Sequence, residues 1–481
     1  MIAEEIKELF SIFSNTEALR IEKLPQSGSD RVYFRIFSEA GSYIATYNAN
    51  VKENLTFFNF TLHFKKRNCP VPEIYIVNDE QTLYIQEDFG DESLLGRLEL
   101  EGHTDNVYSY FKKSLKKLAW LQIYGHKNLD YSWSITSKEF GKQAIINDLL
   151  YFKYYFLDTL KIPYDKEKLI DDFEALAAYL SKVEYKFFMF RDFQGRNIMI
   201  KSEEVNFIDY QGGMKGALQY DVASLLWQAK AGLPEDWKNS LLDYYLDCAE
   251  DILQKPIDRE RFISQYNGYV MIRLLQVLGA YGFRGLFERK AHFLTSIPLA
   301  LRNMKWFLIN KHIGIVLPEF ERLLALMVED EIVKRFQPIQ ADASTALIVK
   351  INSFSYKKKG IPPDDTENGG GFVFDCRGIL NPGRYEEYKS FNGRDKEVKD
   401  FLEQQTKMPE FMNNVYNLVD IAVEEYIKRG FTSLMVSFGC TGGCHRSVYA
   451  ADACARHLKN KFGVKILLNH IEQGIHETKG F

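Results

Sequence analysis

The stretch Phe190-Arg191-Asp192-Phe193-Gln194-Gly195-Arg196-Asn197-Ile198-Met199-Ile200 decides how this chain reads. An Asp is followed five residues later by an Asn, and that Asn opens an apolar run with strand character. Twelve residues beyond Asn197, in Asn206-Phe-Ile-Asp-Tyr-Gln211, Asp209 closes a second such run. Phosphoryl transfer is the chemistry that needs this set. It uses a carboxylate to orient an attacking hydroxyl and take its proton, and two further oxygen donors to hold a divalent cation against nucleotide phosphates. An Arg-Asp dipeptide alone would read as a surface ion pair. The full spaced set, on a loop between two strands, outweighs that reading.

Working outward, the residues before this stretch form two kinds of pattern. An amphipathic helix opens the chain, and residues 1–90 are then β-rich. Val32-Tyr-Phe-Arg-Ile-Phe37 and Ser42-Tyr-Ile-Ala-Thr-Tyr47 are β-branched and aromatic, and Glu73 to Val77 and Thr82 to Gln86 flank a turn at Asn78-Asp79. From about Leu94 to Leu180 the pattern is helical. A β patch spans 186–209, and a long helical run continues to about Phe336. Composition then shifts at Gln337-Pro-Ile-Gln-Ala-Asp-Ala-Ser344, which reads as a linker. Beyond it the strands Leu347 to Ser353 and Phe372 to Asp375 flank a Lys-, Pro-, Asp- and Gly-rich loop over 357–371. A helical segment over 396–429 feeds the strand Ser433 to Phe438.

Composition narrows the class. The 481 residues exceed one ordinary core, so two or three domains are expected. Hydrophobic residues make up 46% and charged residues 26%, a globular balance. The 61 Lys and Arg against 65 Asp and Glu argue against nonspecific nucleic-acid binding. Acids at Glu4 and Glu5 replace the basic start of a secretory leader. No uninterrupted apolar run reaches the ~18 residues of a membrane span, so no membrane association is expected. Six Cys in this length do not form a disulfide framework, which points to a reducing cytoplasm. Cys69, Cys248 and Cys454 read as core thiols. His126, His292 and His312 are isolated and read as packing or surface residues.

The Asp192-to-Asn197 spacing is that of the kinase catalytic loop, with Phe190 where protein kinases carry His. With Ser27-Gly-Ser-Asp-Arg-Val-Tyr-Phe-Arg35, Tyr84-Ile-Gln-Glu-Asp-Phe-Gly90, Ile208-Asp-Tyr-Gln-Gly-Gly213, Gln219-Tyr-Asp-Val-Ala-Ser224 and Val277-Leu-Gly-Ala-Tyr-Gly-Phe-Arg284, the first 330 or so residues resemble the aminoglycoside and choline phosphotransferases. The branch they look most like is that of bacterial cell-wall amino-sugar kinases acting on N-acetylmuramate or N-acetylglucosamine. The resemblance implies a bilobal, protein-kinase-like α+β domain using ATP and Mg²⁺. Asp192 would be the catalytic base, and Asn197 and Asp209 the Mg²⁺ ligands. Gly28 and Ser29 would lie over the phosphates, Gln86, Glu87 and Asp88 at the hinge facing adenine, and Asp221 would brace the catalytic loop. One departure stands out: the third strand, Ile44-Ala-Thr-Tyr-Asn48, lacks the Lys that kinases place there to hold phosphates. Lys52 and Arg35 are the candidate substitutes. That gap supports an alternative, a catalytically silent nucleotide-binding regulator with a protein or RNA partner.

A second constellation is Ser437-Phe-Gly-Cys-Thr-Gly-Gly-Cys-His-Arg-Ser447. It follows an apolar strand and precedes a helix from Val448 to Leu458. Such a turn aims backbone N–H groups at one point near the positive end of a helix, and Arg446, Thr441 and Ser447 add donors. An anion site follows on physical grounds. Cys440 and Arg446 also satisfy a loose Cys-x5-Arg spacing, in which a thiolate attacks phosphorus. With Ser353-Phe-Ser-Tyr356, Phe372-Val-Phe-Asp-Cys-Arg377, Asn381-Pro382 and Gly393-Arg-Asp-Lys396, residues 347–475 resemble the C-terminal domain of the bacterial RNase adapter RapZ. The resemblance implies a domain that binds glucosamine-6-phosphate and contributes to RNA binding. Cys440, Thr441, Gly442, Gly443, His445, Arg446 and Ser447 would hold the sugar phosphate, with Asp375 and Arg377 nearby. That family's P-loop half is absent, and Lys357-Lys-Lys359 is a short basic run typical of a solvated loop, so RNA binding does not carry over on the resemblance alone.

The expectation is a kinase-like domain over 1–336, with a small lobe to about 90 and a helical large lobe over 91–336. A linker over 337–346 then leads to a smaller α/β domain over 347–481 with a strand-loop-helix anion site. The partners expected are a sugar acceptor and a phosphorylated amino sugar.

Overall fold

The computed structural model describes residues 2–24, 31–288, 291–294, 296–366 and 370–479. The chain divides into two compact units, Met1–Ala280 with Leu299–Val333, and Tyr281–Pro298 with Lys334–Phe481.

The first unit opens with the helix Ile2–Ser14 and a five-stranded antiparallel sheet. Its strands are β1 (Arg20–Lys23), β2 (Val32–Ser38), β3 (Gly41–Tyr47), β4 (Ile74–Val77) and β5 (Leu83–Glu87), in the order β1-β2-β3-β5-β4. Alternation sorts the residues onto two faces. Ile36, Ala45, Leu83 and Ile85 on one face meet Ile6, Leu9 and Phe10 of the helix in a dry cluster. The other face carries Tyr33, Thr46 and Tyr84, cross-strand partners in register. The helix Val51–Lys65 covers it, with the Phe57 and Tyr84 rings 5.4 Å apart. Asn50 caps that helix, accepting from Glu53 N–H.

The second lobe of this unit is helical. Helices Leu94–Glu101, Asp105–His126, Lys142–Tyr155, Lys166–Leu180, Leu218–Leu226, Glu235–Leu253 and Arg259–Tyr281 carry its core. The stretch Arg259–Phe287 is long and apolar enough, by length and composition, to cross a membrane. Its Phe262, Tyr266, Tyr269, Leu274, Leu275 and Leu278 are buried, as in a core helix. Two antiparallel strand pairs interrupt the helices: β6 (Lys186–Met189) pairs with β9 (Met214–Ala217), and between them the hairpin β7 (Ile198–Lys201) pairs with β8 (Glu204–Phe207). Ser202 and Glu203, both at positive φ, make the tight two-residue turn between β7 and β8.

The second unit holds a five-stranded mixed sheet in the order β11-β12-β10-β13-β14. Its strands are β10 (Ile348–Ser355), β11 (Gly371–Asp375), β12 (Ser433–Cys440), β13 (Lys465–His470) and β14 (Ile475–Lys479). The first four are parallel, and β14 is antiparallel to β13. The helical segment expected over 396–429 is two helices, Lys396–Gln405 and Met408–Arg429. Thr406 makes the break: its hydroxyl donates to Leu402 O at 2.6 Å and accepts from Met408 N–H at 3.0 Å. Together with the helix Arg446–Phe462 they bury Val415, Val419, Leu458 and Phe462 against Val349, Ile351, Val436 and Ile466.

Candidate functional site

The Asp192 loop is built on a buried carboxylate. Asp221, in the first turn of Leu218–Leu226, is fully buried. It accepts the N–H groups of Phe190 at 2.7 Å and Arg191 at 3.0 Å, and Gln122 Nε2 at 2.9 Å. Burial pushes its carboxyl up to about 7, although those three donors pull the other way. Phe190 fills an aromatic slot, its ring 5.3 Å from Phe193 and 6.1 Å from Tyr210. Arg191 adopts φ 79°, a left-handed conformation that costs a non-glycine residue roughly 1–3 kcal/mol. Its guanidinium is locked by Tyr220 Oη at 2.6 Å and Asp148 at 2.7 Å.

This frame presents Asp192 half-buried at the loop's tip. Its carboxylate accepts from Gln194 Nε2 and from Arg196 Nη2 at 3.1 Å, and buried Arg273 lies 3.9 Å away. Asn197 donates from Nδ2 to Asp192 O at 2.9 Å, which leaves its Oδ1 to face other partners. The β7–β8 register, Ile198 against Phe207, together with the Ile208 N–H to Asn197 O bond of 3.1 Å, brings Asn197 and Asp209 to the same end of the hairpin. Asp209 is also left-handed, at φ 70°, and its Oδ1 accepts from Gln211 Nε2 at 2.7 Å. One carboxylate and one amide oxygen at a hairpin mouth are hard donors of the kind Mg²⁺ takes, so these residues fit that ion.

The other sequence-derived positions are distributed as follows. Gly28 and Ser29 lie outside the described residues. Gln86 and Glu87 end β5, and Asp88 follows it. Arg35 Nε holds the Asp88 carboxylate at 2.7 Å, and that carboxylate accepts Gly90 N–H at 2.8 Å. Lys201 Nζ takes Asp88 O at 2.8 Å. Neither candidate for the missing third-strand cation is placed for it. Lys52 donates to Ile135 O, and Arg35 is spent on Asp88 and Asp91. The residue found in that region is Arg31, which reading the sequence did not single out. Its Nη1 lies 3.1 Å from Asp209 Oδ1, and its Nη2 contacts Glu53. The signals available were Arg31's position beside the glycine-containing segment and an acid in the first turn of the helix after β3.

In the second unit the carboxyl ends of the parallel strands bring the predicted loop together. Register pairs Ser355 with Cys440 and Asp375 with Gly439. A cavity of about 450 Å³ opens there, lined by Arg377, Asn381, Arg384, Thr441 and Arg446. Gly443, at φ +73°, accepts no side chain, since a Cβ would meet Glu472 Cγ at 2.4 Å. The side chains expected to hold the anion are placed as follows. Arg446 is buried in the cavity wall: its Nη1 serves the carbonyls of Arg377 at 3.0 Å and Ile379 at 2.8 Å, with Cys376 O at 3.3 Å, and its Nη2 donates to Thr441 Oγ1 at 3.4 Å. Cys440 and Ser447 turn inward, Sγ 3.1 Å from the hydroxyl, with Gly443 N–H on the sulfur at 3.2 Å. His445 faces Tyr388 O at 3.2 Å. A buried thiol beside an Arg committed to backbone carbonyls is not arranged to attack phosphorus. Asp375 and Arg377 pair with each other at 2.7 Å, and the guanidinium stacks 4.0 Å over Tyr356. Of the thiols expected in cores, Cys69 and Cys454 are buried; Cys248 instead lines a surface groove of about 760 Å³ with Trp120, Lys116 and Asp251. None of the predicted site residues lines that groove.

Residues 20–256 match the phosphotransferase enzyme family, and residues 347–474 match the RapZ C-terminal domain. A nucleotide-binding protein of Alkaliphilus oremlandii is 34% identical over 137 residues, 28% of this chain and 45% of that protein. One of Clostridium botulinum is 38% identical over 133 residues, 27% and 43% respectively. The chain thus spans less than half the length of these relatives. Among solved structures, a putative aminoglycoside phosphotransferase from Ralstonia eutropha is 13% identical with a TM-score of 0.47, covering 64% of this chain and 99% of that one. A choline/ethanolamine kinase family protein from Mesorhizobium loti is 11% identical with a TM-score of 0.45, covering 68% and 98%. The chain joins a kinase-like domain of the phosphotransferase enzyme family to a separate α/β domain of the RapZ C-terminal type.

Proposed function

We propose that the first unit is an ATP- and Mg²⁺-dependent phosphotransferase acting on a sugar hydroxyl. The acceptor in this reading is an amino sugar of cell-wall metabolism, such as N-acetylmuramate or N-acetylglucosamine. The observation that carries it is the gathering of Asp192, Asn197 and Asp209 around one loop and one hairpin mouth, on a frame fixed by Asp221. Asp192 takes the proton of the acceptor hydroxyl as the hydroxyl oxygen attacks the γ-phosphorus and the bond from that phosphorus to the β,γ-bridging oxygen breaks, releasing ADP. Arg196 and Arg273 stand beside the Asp192 carboxylate, at 3.1 Å and 3.9 Å. Asn197 and Asp209 would hold Mg²⁺, which would supply charge neutralisation to the nucleotide phosphates. The Gln86-to-Asp88 segment would meet the adenine through its backbone polar groups, because Arg35 holds the Asp88 side chain.

The second unit, in this reading, binds a hexosamine phosphate. The cavity beside Thr441, with Arg377 and Arg384 on its wall, supports an anionic ligand there. Both domain resemblances converge on amino-sugar metabolism, so the attached domain senses the product or a relative of it. Cytoplasmic location follows from the same reading. A second reading, a silent nucleotide-binding regulator, is favoured by the missing third-strand Lys.

The test is a panel of N-acetylmuramate, N-acetylglucosamine, glucosamine, choline and an aminoglycoside offered with γ-labelled ATP, with the full chain also titrated calorimetrically with hexosamine phosphates. Label transfer to one sugar supports the reading. ATP binding without transfer to any acceptor moves it to the regulator.

A further inference from the structure

The absent third-strand Lys leaves a question of charge. A nucleotide triphosphate brings several negative charges to the site, and β3 supplies no cation to meet them. Thr46, in register with Tyr33 and Tyr84, is the β3 residue on the relevant face, and it is uncharged and fully buried. The cation present comes from the neighbouring strand. Arg31 precedes β2, two residues before Tyr33, and so shares that face. Its side chain is only 7% exposed, and it reaches in two directions. Nη2 rests on Glu53, whose other oxygen accepts from Asn48 Nδ2 at 3.1 Å. Nη1 lies 3.1 Å from Asp209 Oδ1 and 3.4 Å from Tyr33 Oη.

We infer that Arg31 is the phosphate-binding cation of this chain, moved from the third strand to the second, with Glu53 as its anchor and Asp209 as its resting partner in the absence of nucleotide. The inference rests on the phosphotransferase reading. The charges support it: one guanidinium faces two carboxylates, so these three side chains together carry a net negative charge, which favours a cation. A metal ion taken up by Asp209 displaces Nη1 from that carboxylate. Arg31 cannot lose its proton, and a buried guanidinium without a partner is costly, so Nη1 then turns to the nearest new anion, a metal-bound phosphate. Glu53 keeps Nη2 throughout, which fixes the direction in which Nη1 points. A Lys has no second arm with which to stay anchored while it exchanges partners, which gives Arg a reason to stand here.

The experiment is calorimetric binding of ATP with Mg²⁺ and of adenosine to the full chain, for wild type, Arg31→Gln and Arg31→Lys, with melting temperatures recorded. A charge-assisted phosphate contact predicts that Arg31→Gln weakens ATP by about ten- to a hundredfold and leaves adenosine within about twofold. Arg31→Lys keeps the charge and recovers most of the preference for ATP over adenosine. Equal weakening of both ligands in Arg31→Gln, or an unchanged preference, overturns the inference and assigns Arg31 a structural role. Should Arg31→Gln fail to fold, Arg31→Lys decides: a preference for ATP over adenosine that is reduced but retained supports the inference, and an equal weakening of both ligands or an unchanged preference contradicts it. Wild type that binds ATP no better than adenosine removes the phosphotransferase reading itself, a distinct result.

Discussion

Replacing Asp221 with Asn tests the frame beneath the catalytic loop. The change keeps the shape and removes the charge. In the native protein both oxygens accept: one from Phe190 N–H and Gln122 Nε2, the other from Arg191 N–H. An Asn offers one oxygen, so at least one buried donor faces an NH₂ group and is orphaned, at a cost of about 1–3 kcal/mol. The pH dependence is more diagnostic. The folded carboxyl is raised to about 7 against an ordinary 3.8, so between those values the folded chain keeps a proton that the unfolded chain has released. A raised carboxyl contributes stability at low pH and loses it as pH climbs to about 7. Linkage gives a loss of about 2 kcal/mol between about pH 5.5 and about pH 8 from this group alone. Asn cannot titrate, so the stability advantage of wild type over Asp221→Asn shrinks by that amount across the interval, while all other groups cancel. All 5 Trp residues lie in the first unit, so urea unfolding followed by Trp fluorescence reads this unit alone. A wild-type advantage that stays flat with pH refutes the argument that burial dominates at Asp221.

Phe190→Ala empties the slot among Phe193, Phe207 and Tyr210, and is expected to cost about 3–5 kcal/mol by the same fluorescence measurement. Arg446→Ala strips three backbone carbonyls of their donor. It is expected to destabilise the second unit by about 2–4 kcal/mol, seen in calorimetric melting as a shift in one transition with the other unmoved.

How much of this was legible before the structure depends on range. The Asp192–Asn197 spacing is a local pattern, and so are β2, β3 and the β4–β5 hairpin, whose alternating apolar residues announce a half-buried sheet. The strand-loop-helix around Cys440 was readable for the same reason. Most of the elements missed lack such a pattern, although β13, Lys-Ile-Leu-Leu-Asn-His, carries an apolar run and was missed as well. β1, Arg-Ile-Glu-Lys, and β14, Ile-His-Glu-Thr-Lys, are polar edge strands, and β9 contains a Gly. Arg31 was missed because its partner Asp209 lies 178 residues away, and no window along the chain joins them. The backbone partners of Arg446 were hidden for a related reason. Its sequence neighbours suggest a ligand, whereas its bonds run to carbonyls of residues 376–379, which tertiary packing alone brings beside it.

The central claim is that Asp192 performs base catalysis on a sugar hydroxyl. Transfer of label from γ-labelled ATP to the best acceptor, compared between wild type and Asp192→Asn at equal ATP occupancy, tests it most directly. The account predicts a fall in transfer of about 10²–10⁴-fold with ATP affinity retained. Transfer by Asp192→Asn within a fewfold of wild type would contradict it.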